Sequence, residues 1–301
     1  MLYGVIDLGS NTIRLTAYRV EKKSFKILFN QKTMAGLAGY VDNKKLTKKG
    51  IDTACDVLNQ YKSIVQNFDM DKLLVFATAS LRNIENTEEA VGKILIETGL
   101  DIEILSGEEE ASLDFEGATH NVNMDKGILV DIGGGSTELV TYGDNKMITP
   151  VSLPIGSLYL YKNYVEAILP KKSEIAKMEK KVSKELEKNT KIEKKTYSVI
   201  CGVGGTIRAL LKLNNYMFGL PHTNNIITTE NLNHISENLS GSDSSVWNLI
   251  LKICPDRIHT IIPGLQIIKT TAKYYNSEKI IVSSYGVREG YLYDRIINAQ
   301  N

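Results

Sequence analysis

The chain has 301 residues, of which 43 % are hydrophobic and 24 % are charged, and its formal net charge is +1. This length is sufficient for two domains with apolar cores, and the balanced charge argues against electrostatic binding of nucleic acid or of a membrane surface. The three cysteines, Cys55, Cys201 and Cys254, are too far apart for a zinc motif and form no disulfide framework. This use of cysteine favours a reducing cytoplasm, where we expect the protein to be. No targeting segment or apolar run of membrane length is visible.

The first part of the sequence predicts three consecutive strands, followed by alternating helices and strands. The predicted strands are residues 3–7, 12–20, 25–33, 73–77 and 102–105, and the predicted helices are residues 47–65 and 85–98. This order is typical of an RNase H-like lobe. A further helix is predicted up to residue 120, because Ser106 followed by Glu109 fits a capping box.

The second part of the sequence repeats this order. The predicted strands are residues 127–131, 137–142, 146–153, 197–201 and 279–282, with a helix from residue 206. We therefore predict an N-terminal lobe at residues 1–123 and a C-terminal lobe at residues 124–288, with a C-terminal helix at residues 289–301 returning to the first lobe. Residues 171–195 mix Lys and Glu at helical spacing, which predicts a solvated helix pair; steering of a polyanion is the alternative.

Two similar glycine turns occur in the chain, each after an apolar strand that ends in Asp. The first is DLGSN at residues 7–11, and the second is DIGGGSTE at residues 131–138. Glycine lets backbone N–H groups approach phosphate oxygens closely, and the Asp can hold a divalent cation. The duplication predicts two related lobes that close on a phosphorylated ligand.

Seven sequence blocks carry a resemblance to a known family. They are DLGSN (7–11), ATASLRN (77–83), SGEEEA (106–111), DIGGGSTEL (131–139), SLPIG (152–156), GVGGTIRA (202–209) and YGVREG (285–290). Together they resemble the exopolyphosphatase / guanosine pentaphosphate phosphohydrolase family. The resemblance implies an α/β protein with two RNase H-like lobes of the actin-like ATPase fold and a cleft between them. It also implies a magnesium-dependent phosphoanhydride hydrolase, in the short form that lacks helical C-terminal domains.

Two residues are candidates for catalysis. The resemblance implies that Glu110 is the catalytic base, because it stands immediately before the alanine of the family's Glu-Glu-Ala block. Glu108 and Glu109 are its rivals, and only one of three successive helical residues can face a site squarely, since they point about 100° apart. Arg82 follows a strand and a short turn, and its planar guanidinium suits phosphate.

Three carboxylates are candidate magnesium ligands. Asp131 and Glu138 are the main ones, and Asp7 is a third that binds directly or through water, since magnesium needs only one or two protein carboxylates. Two different roles stay open for the main pair. Asp131 could cap its own glycine turn. Glu138 lies on a strand whose alternation could point it to solvent.

The candidate phosphate ligands are N–H groups, hydroxyls, an amide and one arginine. They are Ser10, Asn11, Gly133, Gly134, Gly135, Ser136, Thr137, Gly204, Gly205, Thr206 and Arg288. Arg14 faces either the cleft or solvent. Residues 283–285 depart from the family, which often has Ser-Asp before its Gly-Leu-Arg-Glu-Gly.

These residues favour release of terminal orthophosphate from inorganic polyphosphate. Guanosine pentaphosphate (pppGpp) is the alternative substrate; polyphosphate leads because the short chain shows no added base-recognition module. The same residues would also suit a non-hydrolytic regulator that binds guanosine tetraphosphate, or an ATPase or kinase of the same fold. A homodimer is a further expectation.

Overall fold

The computed structural model describes residues 1–123, 125–241 and 244–300. The chain divides into two compact units. Unit 1 comprises Met1–Glu110 and Tyr291–Asn301, and unit 2 comprises Ala111–Gly290. Each unit has its own sheet and its own hydrophobic core. None of the helices in the described residues is both long and apolar enough to cross a membrane.

Unit 1 is built on a five-stranded mixed sheet. Its elements are β1 (Leu2–Leu8), β2 (Ile13–Glu21), β3 (Ser24–Thr33), β4 (Val41–Asp42), β5 (Lys45–Leu46), α1 (Lys48–Asn67), β6 (Lys72–Ala77), α2 (Ala79–Arg82), α3 (Thr87–Thr98) and β7 (Glu103–Ile104). The sheet order is β3-β2-β1-β6-β7, with β1 antiparallel to β2 and parallel to β6. This arrangement confirms the predicted RNase H-like order.

Helix α1 packs against the strands of unit 1. It begins after Thr47, whose side chain accepts a hydrogen bond from the Gly50 N–H. Leu58 and Tyr61 lie three residues apart on the buried side of the helix. The Tyr61 hydroxyl donates to the carbonyl of Ile13 at 3.0 Å, which fixes the helix to β2. The apolar spacing visible in the sequence therefore produces the core contact.

Helix α4 (Gly107–Thr119) connects the two units. The predicted capping box is confirmed: the Glu109 N–H donates to Ser106 Oγ at 3.1 Å, and the Ser106 N–H donates to Glu109 Oε2 at 2.8 Å. From Ala111 onwards the helix belongs to unit 2, because Ala111 and Phe115 bury their side chains with Leu129 and its neighbours. The junction of the compact units thus falls before the predicted lobe boundary at residues 123/124.

Unit 2 is built on a six-stranded mixed sheet. Its elements are β8 (Lys126–Ile132), β9 (Thr137–Gly143), β10 (Lys146–Leu153), α5 (Ser157–Tyr164), α6 (Lys172–Lys188), β11 (Val199–Val203), α7 (Gly204–Met217), β12 (Ile226–Thr228), α8 (Thr229–Leu239), α9 (Ser244–Ile253), α10 (Ile261–Tyr274), β13 (Lys279–Val282) and α11 (Val287–Leu292). The sheet order is β10-β9-β8-β11-β13-β12. Strand β8 is antiparallel to β9 and parallel to β11, so the order of unit 1 is repeated.

Two segments of unit 2 differ from the sequence prediction. Residues 171–195 hold one helix, α6, rather than a helix pair. The helix ends at Lys188. The next residue, Asn189, is extended, and its Oδ1 accepts a hydrogen bond from the Lys191 N–H at 3.1 Å, which forms a local turn that competes with helix. Helix α7 begins at Gly204, before the predicted start at residue 206.

The C-terminal residues belong to unit 1. After α11 the chain forms a π-helical turn at Tyr293–Ile297 and a 3-10 turn at Asn298–Gln300, instead of one continuous helix. The Tyr291 hydroxyl donates to Glu103 Oε2 at 2.6 Å, and Arg295 Nη2 lies 2.5 Å from Glu103 Oε1. These contacts attach the C-terminal segment to β7.

Candidate active site

The first glycine turn follows β1 and directs its carbonyl groups towards residues 36–38. The Ser10 carbonyl accepts from the Ala38 N–H and the Asn11 carbonyl accepts from the Gly36 N–H, both at 2.9 Å. The C=O and N–H groups of a trans peptide point in opposite directions, so the N–H groups of Asn11 and Thr12 face away from that segment. The turn therefore presents adjacent N–H donors on one side, as an anion site requires.

Asp7 and Arg14 flank this turn on neighbouring strands. The register of β1 and β2 places them directly opposite each other, so their side chains lie on the same face of the sheet. Gly9 closes the turn by donating its N–H to the Thr12 carbonyl at 3.1 Å, and a Cβ at Gly9 would lie 2.9 Å from that oxygen. The side chain of Arg14, whose direction the sequence left open, is therefore on the side of Asp7.

Glu110 is the buried member of the three consecutive glutamates. Glu108 and Glu109 are exposed, whereas Glu110 is 7 % exposed. Glu110 Oε2 accepts a hydrogen bond from Arg82 Nη1 at 2.7 Å, and the same nitrogen donates to the Leu105 carbonyl at 3.0 Å. The guanidinium thus fixes the direction of the carboxylate. The two residues predicted for catalysis are in contact with each other.

Helix α2 places Arg82 close to the end of β1. This helix directly follows β6, and Ser80 Oγ within it donates to the carbonyl of Leu8, the last residue of β1. Strands β1 and β6 run parallel and adjacent, so their carboxyl ends meet at one edge of the sheet. Asp7, Arg82 and the first glycine turn therefore belong to the same edge of unit 1.

The second glycine turn is closed like the first, by a hydrogen bond from the Gly133 N–H to the Ser136 carbonyl at 3.0 Å, and helix α5 binds its carbonyl groups in place of residues 36–38. The Gly133 carbonyl accepts from the Ser157 N–H at 2.9 Å, and the Gly134 carbonyl accepts from the Leu158 N–H at 3.0 Å. By the same peptide geometry, the N–H groups of Gly134 and Gly135 face away from α5. These two N–H groups form a second candidate anion site.

Gly156 explains the presence of the SLPIG block beside this turn. A Cβ at Gly156 would overlap the backbone carbonyl of Gly134. Glycine is therefore required for the first turn of α5 to approach the glycine turn and to bind its carbonyl groups. The SLPIG block therefore positions the start of helix α5 against the second glycine turn, a role that its sequence alone does not reveal.

Asp131 and Glu138 lie directly opposite each other on β8 and β9. Residues paired in this way share one face of a sheet. Glu138 is fully buried, and its Oε1 accepts a hydrogen bond from Ser152 Oγ at 2.9 Å. This burial excludes the alternative in which Glu138 points to solvent. Burial raises the pKa of Asp131, and the charge of Arg208 opposes that rise.

The third glycine turn packs against Asp131. Gly204 has a φ of 85°, in the left-handed region, and a Cβ there would overlap the Asp131 carboxylate. A Cβ at Gly205 would overlap the guanidinium of Arg257. Thr206 Oγ1 accepts a hydrogen bond from Arg257 Nη1 at 3.2 Å. The two glycines thus allow close approach of a carboxylate and a guanidinium to this turn.

The charges of three arginines of unit 2 act on Asp131. The charges of Arg208, Arg257 and Arg288 all act on the Asp131 carboxyl and oppose the rise in its pKa. Burial lowers the pKa of Arg208, and the nearby charge of Arg288 lowers it further, although an arginine remains protonated. Such a concentration of guanidinium groups attracts an anion, and phosphate matches their planar geometry. The sequence predicted Arg288 alone of these three.

The sequence interpretation missed Asp114, Arg208 and Arg257. Asp114, on α4, is fully buried, and it is among the groups that act on the pKa of the Asp131 carboxyl. Its spacing of four residues from Glu110 was a usable signal, because such residues share a helix face. Arg208 stands inside a recognised block. Arg257 follows Pro255 outside every block, so nothing in the sequence marked it.

Two of the predicted phosphate ligands use their hydroxyl groups within the protein. Thr137 Oγ1 donates to the Ile155 carbonyl at 2.7 Å, and Thr206 Oγ1 donates to the Ile132 carbonyl at 3.2 Å. Ser136 is also buried. These threonine hydroxyls hold the turns in shape. A phosphate contact from these two positions would therefore come from the backbone N–H.

The carboxylates of unit 2 fit a magnesium ion that keeps several water ligands. Within the described residues, no group of three or more His, Cys, Asp or Glu is placed to hold a metal ion. Magnesium, however, often takes one or two carboxylates and completes its shell with water and substrate phosphate. Asp131 and Glu138 share a sheet face and provide this number of ligands. Asp7 lies in unit 1.

Comparison with known proteins identifies the family. Residues 16–299 match the model of the Ppx/GppA phosphatase family. The chain belongs to the Ppx/GppA phosphatase family. This confirms the resemblance carried by the seven sequence blocks, and it shows the chain to be a phosphoanhydride hydrolase. Exopolyphosphatase 1 of Mycobacterium tuberculosis (strain ATCC 25618 / H37Rv) is 24 % identical over 298 residues, which cover 96 % of this chain and 87 % of that protein.

Solved structures of Ppx/GppA proteins have the same fold. The Aquifex aeolicus family member is 25 % identical, with a TM-score of 0.81 and coverage of 100 % of this chain and 99 % of that chain. An exopolyphosphatase from Cytophaga hutchinsonii is 23 % identical, with a TM-score of 0.87 and coverage of 99 % and 98 %. The predicted fold class, RNase H-like lobes of the actin-like ATPase type, is confirmed.

Proposed function

We propose that this Ppx/GppA protein is an exopolyphosphatase, which releases terminal orthophosphate from inorganic polyphosphate. The observation that carries the proposal is the set of donors around Asp131: glycine-turn N–H groups and the arginines Arg208, Arg257 and Arg288. Such donors recognise phosphate groups irrespective of any attached base or sugar. A polymer made of phosphate alone is therefore the substrate class that matches them.

Glu110 is proposed as the general base for the attacking water. Its carboxylate is held by Arg82, so it has a fixed direction from which it can accept a proton. Phosphoryl transfer needs an oriented water and stabilisation of the charge on the transferred group. The arginines and the glycine-turn N–H groups are proposed to provide that stabilisation.

Magnesium is the proposed cofactor, held by Asp131 and Glu138, with Asp7 as a further candidate ligand. When bound, magnesium would neutralise charge on the phosphate oxygens. Ser152 fixes the direction of Glu138 by its hydrogen bond, and Gly204 keeps the space beside Asp131 open. Polyphosphate or pppGpp as the partner, a cytoplasmic location and a homodimer stay predictions.

The test is phosphate release from polyphosphate, pppGpp and ATP, measured in parallel with and without magnesium. We expect magnesium-dependent turnover, with the highest kcat/KM on polyphosphate of several tens of units. Affinity is expected to rise with chain length and to fall with salt, because the contacts are ionic.

Three results would contradict this proposal. A preference for pppGpp would make the protein a guanosine pentaphosphate phosphohydrolase. Tight guanosine-specific binding without phosphate release from any of the three would make it a regulator. Turnover of ATP that requires an added acceptor molecule would make it a kinase.

A further inference from the structure

Helix α6 of unit 2 carries a line of lysines along one side. Its 17 residues include Lys177, Lys180, Lys181, Lys184 and Lys188, which recur at intervals of three and four residues and therefore share a helix face. We name these five residues the lysine stripe. Lys181 is half-buried and the other four are exposed.

Within the described residues, the glutamates of α6 form ion pairs with two members of the stripe. Glu174 and Glu185 are buried, and Glu185 binds Lys181 and Lys188 at 2.8 Å and 3.3 Å. Glu179 binds Lys269 of α10 at 2.9 Å, away from the stripe.

Three members of the stripe remain available to an external anion. In the described part of the chain, Lys177, Lys180 and Lys184 have no carboxylate within ion-pair distance. The nearby charge of Lys177 does contribute to lowering the pKa of the exposed Glu166. Like charges at these spacings destabilise a helix, so bound anion would relieve a repulsion that the free protein carries.

The composition of the stripe selects among polyanions. Helix α6 contains no aromatic residue and no arginine, so it has no platform on which nucleic acid bases could stack. Its apolar residues Ile175, Met178, Val182 and Leu186 are buried, so it has no apolar face to insert into a membrane. Lysine ammonium groups act as point charges with no fixed fork, which suits a uniform chain that must move as it is shortened.

Helix α10 connects the stripe to the phosphate-binding candidates. A Cβ at Gly264 of α10 would overlap Thr206 of the third glycine turn, whereas Lys269 of α10 binds Glu179 of α6. Gly264 and Lys269 are separated by only about 8 Å along the helix axis. Helix α6, which carries the stripe on its exposed side, and the third turn thus pack against neighbouring parts of one helix.

We propose that the lysine stripe binds the phosphates of a long polyphosphate chain beyond those held at the glycine turns. This inference rests on the proposed exopolyphosphatase function. From Lys177 to Lys188 the stripe extends about 17 Å. Neighbouring lysines lie within the Debye length of about 8 Å at physiological ionic strength, so they attract a polyanion collectively. The stripe makes the enzyme selective for long chains.

The test compares two triple variants that lose the same charge. The first is Lys177→Gln, Lys180→Gln and Lys184→Gln; the control is Lys23→Gln, Lys26→Gln and Lys146→Gln, which changes exposed lysines elsewhere. KM and kcat are measured on tripolyphosphate and on polyphosphate of several tens of units, and binding of the long chain is measured by calorimetry. Circular dichroism melts check that both variants are folded.

We expect the stripe variant to raise KM for the long chain on the order of tenfold at low salt, with kcat and the tripolyphosphate KM unchanged. The control should match the parent, and the effect should shrink as salt is added. The proposal would be overturned if the two variants had the same KM for the long chain, or if the stripe variant raised KM equally for tripolyphosphate and for the long chain. The proposal would also be overturned if an RNA oligonucleotide of equal charge displaced polyphosphate from the parent but not from the stripe variant, since the stripe would then be a site for RNA.

Failure of the inference is distinguishable from failure of the proposed function. If the parent does not hydrolyse polyphosphate, the proposed function fails, and the calorimetric comparison of parent and stripe variant still decides whether the stripe binds it. If the parent hydrolyses polyphosphate and the stripe variant binds it equally well, the stripe alone is overturned.

Discussion

At the scale of single residues, Arg82 and Glu110 form the most informative pair. The sequence predicted both for catalysis, from separate blocks, and the structure joins them by a hydrogen bond of 2.7 Å. Arg82 was expected to act on phosphate because of its planar guanidinium. Because Arg82 also holds the Glu110 carboxylate in place, loss of Arg82 should affect turnover as well as substrate binding.

Glu110→Gln is expected to preserve the fold and polyphosphate affinity but to lower kcat on the order of 10²–10⁴-fold. The amide can still accept the Arg82 hydrogen bond, but it cannot take a proton from water. Steady-state kinetics and calorimetric binding measure the two effects. Glu109→Gln is the matched control, because Glu109 is exposed and only caps α4. If Glu110→Gln kept near-parental turnover and Glu109→Gln were inactive, the general base would be Glu109 and not Glu110.

Asp131→Asn is expected to raise the magnesium concentration needed for half-maximal activity about tenfold or more, with a milder effect of Glu138→Gln. The hard cation requires carboxylate charge, which the amide lacks. Magnesium titration of phosphate release measures both. Asp144→Asn, at an exposed turn of the same sheet, serves as the control. If the magnesium titration curves of the Asp131 and Glu138 variants were unchanged, these residues would only shape the glycine turn and would not bind magnesium.

At the scale of elements, the first and second glycine turns each depend on a neighbour that binds their carbonyl groups. Residues 36–38 perform this role for the first turn and α5 performs it for the second. Both neighbours leave the following N–H groups on the opposite side. The two turns are therefore closed by equivalent hydrogen bonds, although the carbonyls bound by the neighbour are shifted by one residue and the supporting elements are unrelated.

Gly156→Ala is expected to displace the second turn, since the added methyl would overlap the Gly134 backbone. Misplaced phosphate donors should lower kcat/KM by about tenfold or more, and overpacking should cost about 1–3 kcal/mol of stability. Kinetics and thermal unfolding test both effects. Gly143→Ala is the control, because its Cβ would lie 3.6 Å from Ile148 Cδ1, an ordinary contact. Equal kinetics in the two variants would exclude a role of Gly156 in turn placement.

The sequence predicted elements whose signals are local and missed features that depend on tertiary contact. The strands around Asp7 and Asp131 were found because apolar runs end in an Asp followed by a glycine turn. The capping box of Ser106 and Glu109 was found because both partners lie within one helical turn. In contrast, the approach of Asp114 and Arg257 to Asp131 brings together residues distant in sequence, and no local pattern encodes it.

At the scale of the whole molecule, the chain returns to unit 1 through its last residues, and Glu103 holds them there. Burial acts to raise the pKa of Glu103, but the hydrogen bonds from Arg295 and Tyr291 outweigh it, so the pKa lies below its ordinary value. A depressed pKa means that the folded state favours the ionised carboxylate. This contribution is present above the unfolded pKa of about 4.3 and is lost as pH falls through the folded value.

Glu103→Gln is therefore expected to destabilise the protein at neutral pH by an amount on the order of 1 kcal/mol, kept small by the partial exposure of the group. The difference from the parent should vanish in acid below the folded pKa. Urea unfolding at neutral and acidic pH measures it. Glu21→Gln, at an exposed position, is the control. A difference that persists unchanged in acid would show that the carboxylate charge does not hold the C-terminal segment.

The most direct test of the central claim is the product pattern from polyphosphate, followed by ³¹P NMR. The proposed removal of terminal phosphate would produce orthophosphate while the number of chains stays constant. We predict that the orthophosphate signal grows as the internal-phosphate signal falls, with the chain-end signal constant until chains are consumed. A growing chain-end signal, which marks internal cleavage, or no orthophosphate at all would contradict the assignment.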